Sequence, residues 1–180
     1  MPSNRRVQPE AERRGPIVAA ARQLFTQNGY EATSMASIAA TAGVTPNTIY
    51  WYFKDKDELL VGVLDVLLQE DIQAYASEAA TKPAVEKLWW AVERLRAFKG
   101  LVTTVHNRVN LSPRLNEWHE AFHTIFEGFL SPEMPSAWSE AQRKAEARVV
   151  SFTIEGLLSH GVDREDTLAT CRALADRWAL

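Results

Sequence analysis

Apolar residues recur along this 180-residue chain mainly at steps of three and four positions, which is the spacing of one face of an α-helix. Gly, Pro, Ser or Asn stands at the breaks between the periodic segments. The pattern predicts an all-α protein of about nine helices and no sheet. We expect these helices over residues 10–28, 35–41, 45–52, 57–80, 81–97, 101–110, 114–129, 136–160 and 163–178.

Two short predicted helices are separated only by Ala42-Gly43-Val44. A Gly at this point permits a sharp reversal of the chain, and Ile38, Val44 and Ile49 are spaced to hold the two helices together. This is the pattern of a helix-turn-helix, which we place at about residues 34–53.

The outer side of the second short helix would carry small polar and aromatic groups: Thr45, Pro46, Asn47, Thr48, Tyr50 and Trp51. An Asn can pair with adenine through two hydrogen bonds, and a Thr or Tyr can contact a thymine methyl group or a phosphate. An aromatic core would explain some of residues 50–53 instead. Because four successive helical positions cannot share one face, we assign Phe53 to the core and Tyr50 to the outside.

The charge distribution is uneven along the chain. The net charge is −3 overall, but residues 1–56 carry +3 and residues 57–180 carry −6. A basic first third suits binding of a polyanion by one end of the molecule. A chance fluctuation among solvated charges is the alternative.

At these residues the chain closely resembles the TetR/AcrR (tetracycline-repressor) family of bacterial regulators. The resemblance covers about residues 12–62. The matching residues are Phe25, Gly29-Tyr30, Thr33-Ser34-Met35, Ile38-Ala39, Ala42-Gly43-Val44, Thr48-Ile49-Tyr50, Phe53-Lys54, Lys56 and Leu59-Leu60.

The resemblance implies a function for the helix-turn-helix, because in the family the third helix reads operator DNA. It implies base or groove contacts by Thr45, Pro46, Asn47 and Tyr50, and phosphate contacts by Ser34, Thr48, Trp51, Tyr52 and Lys56. Asn47 departs from the small Gly or Ala common at its position, which concerns base preference and not the fold.

The resemblance also implies an organisation for the whole chain. We expect an N-terminal arm over residues 1–12, a three-helix DNA-binding domain over residues 13–60, and an effector-binding and dimerisation domain over residues 61–180. The N-terminal residues lack the apolar stretch of a secretory signal, and no apolar run approaches the roughly 20 residues that cross a bilayer. The single Cys171 cannot form an internal disulfide, so we expect a cytoplasmic protein with no membrane partner.

The larger part of the chain is rich in aromatic residues that could line a pocket between helices. The candidate pocket residues are Trp89, His106, Asn110, Trp118, Phe122 and Phe126. A packed core would explain most of them equally well. In the family this region binds small, often apolar effectors, so the resemblance implies a small apolar effector that the sequence does not identify.

The last two predicted helices carry more apolar surface than one helical hairpin can bury. We expect them to form the interface of a homodimer through Ala145, Val149, Phe152, Gly156, Leu168, Leu174 and Trp178. Packing of this surface within the monomer is the alternative.

The segment His119-Glu120-Ala121-Phe122-His123 matches the zinc-hydrolase motif H-E-x-x-H, in which two imidazoles one helical turn apart bind zinc and the Glu acts as a base. No further His follows at the spacing of a third ligand, and only Glu127 and Glu146 are conceivable replacements. We therefore expect ordinary helix-surface or pocket histidines, no bound metal or cofactor, and no enzyme. A metal-responsive or adventitious metal site at these histidines is the alternative.

The sequence thus predicts a protein that binds double-stranded operator DNA as a homodimer, and the resemblance implies a repressor that is released by an effector. A zinc-dependent hydrolase using His119, Glu120 and His123 is one alternative. A helical adaptor that has lost DNA binding is another.

Overall fold

The computed structural model describes residues 10–179, with side chains from residue 14 onward, so the expected arm over residues 1–12 lies almost entirely outside the described residues. Its helices are α1 (Glu10–Asn28), α2 (Met35–Ala42), α3 (Pro46–Tyr52), α4 (Lys56–Glu78), α5 (Ala84–Ala97), α6 (Lys99–Arg108), α7 (Pro113–Leu130), α8 (Glu140–Ser159) and α9 (Arg164–Asp176). One 3₁₀ turn, Ser131–Glu133, follows α7. The described residues contain no strand, which confirms the all-α prediction.

The start of α8 differs from the prediction, which began this helix at residue 136. Ser139 stops the helix from extending further back, because its hydroxyl accepts a hydrogen bond from the Gln142 N–H (3.3 Å) while its own N–H donates to Gln142 Oε1 (2.8 Å). The guanidinium of Arg143 donates to the carbonyls of Ser131 (3.0 Å) and Pro135 (2.9 Å), and so holds the preceding loop in place.

The described residues form two compact units, which we call the N-terminal unit (residues 10–68) and the C-terminal unit (residues 69–179). In the N-terminal unit the apolar faces of α1, α2, α3 and the first part of α4 share one core. Its innermost side chains are those of Ile17, Ile38, Ile49, Phe53, Leu59, Leu60 and Val63. Gly62 allows the Phe53 ring to approach α4, since a Cβ at this position would lie 3.0 Å from Phe53 Cε1.

The C-terminal unit has its own core, to which α5, α7, α8 and α9 contribute. The core consists of Leu88, Val92, Leu130, Met134, Ala147, Val150, Ile154, Leu157, Leu158, Cys171, Leu174 and Trp178. Burial raises the pKa of the Cys171 thiol to about 11, so the thiol behaves as a small apolar group. No helix in the described part of the chain is long and apolar enough to cross a membrane.

Candidate functional site

The turn between α2 and α3 is closed by local hydrogen bonds. Ser34 begins α2 with a capping box, in which its hydroxyl accepts from the Ser37 N–H (3.0 Å) and its N–H donates to Ser37 Oγ (3.1 Å). Gly43 ends α2 in the left-handed conformation, with φ of 68°, and donates its N–H to the Ala40 carbonyl (3.2 Å). A residue with a Cβ would be strained there, which explains the Gly.

The orientation of α3 follows from its first turn and from two buried side chains. Thr45 caps the helix by accepting from the Thr48 N–H (3.3 Å), and Pro46 occupies the first position, where a missing N–H costs nothing. Ile49 and Phe53 are buried, Phe53 to 1% exposure, so this side of α3 faces the core. The assignment of Phe53 to the core is confirmed.

The opposite side of α3 is open to solvent. Tyr50 is 55% exposed and Trp51 is 79% exposed, which confirms the outward assignment of Tyr50. Thr45, Pro46 and Asn47 are also exposed, as is Ser34 at the start of α2, whereas Thr48 and Tyr52 are half-buried. Two large aromatic rings on one short exposed face are unusual for a surface that contacts only water.

Lys56 has a different environment from the one expected for a free phosphate contact. Its ammonium donates hydrogen bonds to the carbonyls of Tyr30 (2.8 Å) and Thr33 (3.0 Å), and it lies 4.0 Å from the centroid of the Tyr30 ring. The side chain therefore ties the start of α4 to the segment between α1 and α2. Only one of its three N–H groups is left for another partner.

The residues considered for an effector pocket fall into two groups. Trp118, Phe122 and Phe126 lie on successive turns of α7 and stack in a row, with centroid separations of 5.5 Å and 6.3 Å. Trp89 packs against the core of the C-terminal unit, as Phe126 also does, and the Arg164 guanidinium lies 5.3 Å from the Trp89 ring centroid. Asn110 is exposed just beyond the end of α6.

His106, the remaining residue considered for the pocket, lies with three other side chains that we call the histidine cluster: His106 of α6, His119 and His123 of α7, and Glu155 of α8. The Nε2 atoms of His119 and His123 are 3.1 Å apart. Glu155 Oε1 lies 3.6 Å from His106 Nε2 and 3.5 Å from His123 Nε2. Glu155 was not among the residues predicted from the sequence, because no motif connects it to the histidines, which lie 32 or more positions earlier.

The acidic residues that the sequence suggested for a zinc-hydrolase site are not members of the histidine cluster. Glu120, the base of the zinc-hydrolase motif, is exposed and accepts a hydrogen bond from Asn116 Nδ2 (3.1 Å). Glu146 is buried, and its carboxylate accepts from Trp178 Nε1 (3.1 Å) and from the Arg177 guanidinium (2.7 Å). Glu127 is half-buried.

The residues expected at a dimer interface differ in exposure. On α8, Ala145, Val149 and Phe152 are exposed, Phe152 to 63%, and Gly156 is half-buried on the same face. On α9, Leu168 is half-buried. Leu174 and Trp178 belong to the core of their own chain, so they do not lie on this exposed face. Their apolar spacing indicated burial correctly but could not tell a core within the chain from one shared between chains.

Comparisons with known proteins agree with this geometry. The family model described as "Bacterial regulatory proteins, tetR family" matches residues 17–63. The chain is 36% identical over 121 residues to the HTH-type transcriptional regulator TtgR of Pseudomonas putida, a match that covers 66% of this chain and 53% of that protein. The chain thus spans about half the length of the first curated relatives it matches.

Solved structures show the same fold over nearly the whole chain. Salmonella enterica GusR superimposes with a TM-score of 0.68 at 21% identity, over 98% of this chain and 100% of that one. A regulator from Rhodococcus sp. RHA1, titled a putative transcriptional regulator, superimposes with a TM-score of 0.71 at 21% identity, over 91% of this chain and 94% of that one. From its helix-turn-helix and these similarities, the chain belongs to the TetR/AcrR family of bacterial regulatory proteins.

Proposed function

We propose that this protein is a sequence-specific DNA-binding transcriptional regulator that inserts α3 into the major groove of an operator. The observation that carries the proposal is the exposed face of α3, where Asn47, Tyr50 and Trp51 project from a helix held from behind by Ile49 and Phe53. A helix held in this way presents its outer side chains in a defined orientation, as base recognition requires.

We divide the candidate DNA-binding residues into those that suit contacts with bases and those that suit contacts with phosphates. Thr45, Pro46, Asn47 and Tyr50 lie where they would contact base edges, with Asn47 able to pair with adenine through two hydrogen bonds. Contacts to phosphates are assigned to Ser34, Thr48, Trp51, Tyr52 and Lys56. Lys56 makes its contribution mainly by positioning, because two of its three donors already bind carbonyls.

We assign the DNA-binding domain to residues 13–60 and the effector-binding and dimerisation domain to residues 61–180. TetR-family regulators are typically dimers, and the exposed stripe of Ala145, Val149 and Phe152 on α8 suits a homodimer interface. A two-fold dimer would place two copies of α3 about 34–36 Å apart, one helical turn of DNA.

The remaining features suit a repressor that a small molecule releases from DNA. The row of Trp118, Phe122 and Phe126 on α7 offers aromatic surface to a small apolar effector. An effector acts by favouring a state in which the two recognition helices no longer fit successive grooves. A regulator of this kind binds chromosomal DNA in the bacterial cytoplasm. Its function requires no catalysis.

Selection of bound duplexes from a random DNA pool tests the proposal. We expect a palindromic or nearly palindromic site, with half-site centres about 10 base pairs apart or a multiple of this spacing. Recovery of no enriched sequence, together with equal affinity for the selected pool and for random DNA, would contradict sequence-specific binding and favour a helical adaptor.

Two further measurements address the oligomeric state and the sign of regulation. Light scattering at micromolar concentration should give the mass of a dimer, and Phe152→Glu should give that of a monomer, because a charge would then be buried in the interface. Deletion of the gene should raise expression from the selected operator, whereas a fall would identify an activator.

A further inference from the structure

Three of the four histidines of the chain lie together in the C-terminal unit, although they come from two different helices. With Glu155 they form the histidine cluster. The Nε2 atoms of His119 and His123 are 3.1 Å apart, and Glu155 Oε1 lies 3.5 Å from His123 Nε2 and 3.6 Å from His106 Nε2. One donor atom each of His106, His119 and Glu155 lies within 4.8 Å of the other two. His123 contacts both His119 and Glu155.

These separations match those between the ligands of a tetrahedral zinc ion. Zinc binds nitrogen and carboxylate oxygen at about 2.0–2.2 Å, which places neighbouring ligand atoms about 3.3–3.6 Å apart. Two of these three separations fall at the upper end of this range, and the third is slightly shorter. His123 is not part of the group whose donor atoms all lie within 4.8 Å of one another, so a four-ligand site requires its imidazole to move closer to the other donor atoms.

The donor atoms indicate which ions are suitable. Imidazole nitrogens suit zinc, copper, nickel and iron, whereas magnesium and calcium prefer sites made only of oxygen atoms. The thiol of Cys171 lies in the core and is not one of the four groups.

We propose that the histidine cluster binds one divalent transition-metal ion of the zinc class, with His106, His119, His123 and Glu155 as its ligands. This reverses the expectation from the sequence. The H-E-x-x-H motif directed attention to Glu120, but the acidic ligand comes from α8, a helix that the motif does not include.

Four protein ligands fill a tetrahedral shell and leave no position for a reacting water, unlike the three-ligand sites of zinc hydrolases. The ion would join α6, α7 and α8 of the C-terminal unit. The inference rests on the fold of this unit and not on DNA binding, so it can fail while the proposed function stands.

The test uses the full chain, stripped of metal with a chelator, dialysed, and titrated with Zn²⁺ in competition with a coloured chelator. We expect one zinc ion per chain and a raised thermal unfolding midpoint, because an ion that binds the folded state stabilises it. Mg²⁺ is expected to do neither. Absence of zinc binding at micromolar concentrations would overturn the proposal.

Variants identify the ligands. His119→Ala and Glu155→Gln should each weaken zinc binding by at least about 100-fold, since even second-shell changes cost 10–100-fold. His160→Ala is the matched control, because this exposed fourth histidine lies outside the histidine cluster, and it should bind zinc as the parent does. Equal affinity in all three variants would identify the bound zinc as adventitious and overturn the assignment.

The visible spectrum of Co²⁺ bound to the parent protein provides a test that needs no variant to fold. Intense bands of tetrahedral cobalt are expected. The weak bands of octahedral, largely hydrated cobalt would contradict a four-ligand protein site.

Discussion

The caps of the helix-turn-helix and the contacts between helices of the C-terminal unit span very different distances along the chain. In the N-terminal unit, the side chains that cap α2 and α3 bond to residues three positions away, as Ser34 does with Ser37. In the C-terminal unit, Arg96 donates to Thr167 Oγ1 (2.9 Å), 71 positions away, and Arg177 donates to Glu146 (2.7 Å), 31 positions away. Local contacts therefore shape the helix-turn-helix, whereas distant contacts join the helices of the C-terminal unit.

This difference explains why one candidate site can be recognised as a motif and the other cannot. The proposed DNA-binding surface lies within about 23 consecutive residues, 34–56, and short-range caps determine its shape. The histidine cluster combines α6, α7 and α8, and its members become neighbours only when these helices pack.

The largest effect should come from the core of the N-terminal unit. Phe53→Ala is expected to lower the free energy of unfolding by about 3–5 kcal/mol, because it leaves a cavity between α3 and α4. Trp51→Ala, two residues away and exposed, should change it by less than about 0.5 kcal/mol. Denaturant unfolding followed by circular dichroism measures both, and similar losses in the two variants would show that α3 is oriented differently.

A distant contact should matter in the C-terminal unit. Glu146→Ala removes the acceptor for the Trp178 indole N–H and for Arg177, and should cost about 2–3 kcal/mol of unfolding free energy, since a buried donor loses its partner. Glu140→Ala on the same helix is the control, because Glu140 is exposed and its ion pair with Lys144 lies on the surface, so the loss should be much smaller. A loss in calorimetry no larger than that of the control would contradict the importance of this long-range contact.

The exposed face of α3 should affect binding rather than stability. Asn47→Ala and Tyr50→Ala are each expected to cost about 2 kcal/mol on the selected operator and little on random DNA, because base contacts are lost while phosphate contacts remain. Asn107→Ala, at an exposed position of α6, serves as the matched control. Operator affinities unchanged in all three variants would argue against α3 as the recognition helix.

Lys56 joins distant segments of the N-terminal unit through its ammonium group. Lys56→Ala should lower the free energy of unfolding by about 1–2 kcal/mol through loss of two charge-assisted hydrogen bonds, whereas Lys54→Ala, which is exposed, should not. If its remaining N–H contacts a phosphate, the slope of log affinity against log salt also falls by about one per contact. Unchanged stability with a reduced salt slope would assign Lys56 to phosphate binding alone.

The smallest stability changes are expected from alanine substitutions at two glycines with different backbone conformations. Gly43→Ala should destabilise the N-terminal unit by about 1 kcal/mol, because φ is 68° there. Gly128→Ala lies inside α7 with open space around its Cβ position, and should stabilise the protein by about 0.5–1 kcal/mol. Thermal unfolding midpoints should therefore move in opposite directions.

The helices, their order and the helix-turn-helix could all be predicted from the amino-acid sequence. These features depend on the helical period and on capping residues within a few positions, as at Ser34, Gly43 and Thr45. Even the later start of α8 follows from a local signal, the capping box of Ser139 and Gln142, which the periodic pattern alone does not reveal.

Which helices face one another could be seen only in the tertiary structure. The period of an amphipathic helix identifies a buried face but not its neighbour, so it could not tell that Trp178 packs into its own chain or that Lys56 binds the Tyr30 and Thr33 carbonyls. For the same reason Glu155 had no detectable relation to the histidines of α6 and α7. The packing of α6 and α8 beside α7 brings His106 and Glu155 next to the two histidines of the motif, and these four residues form the histidine cluster.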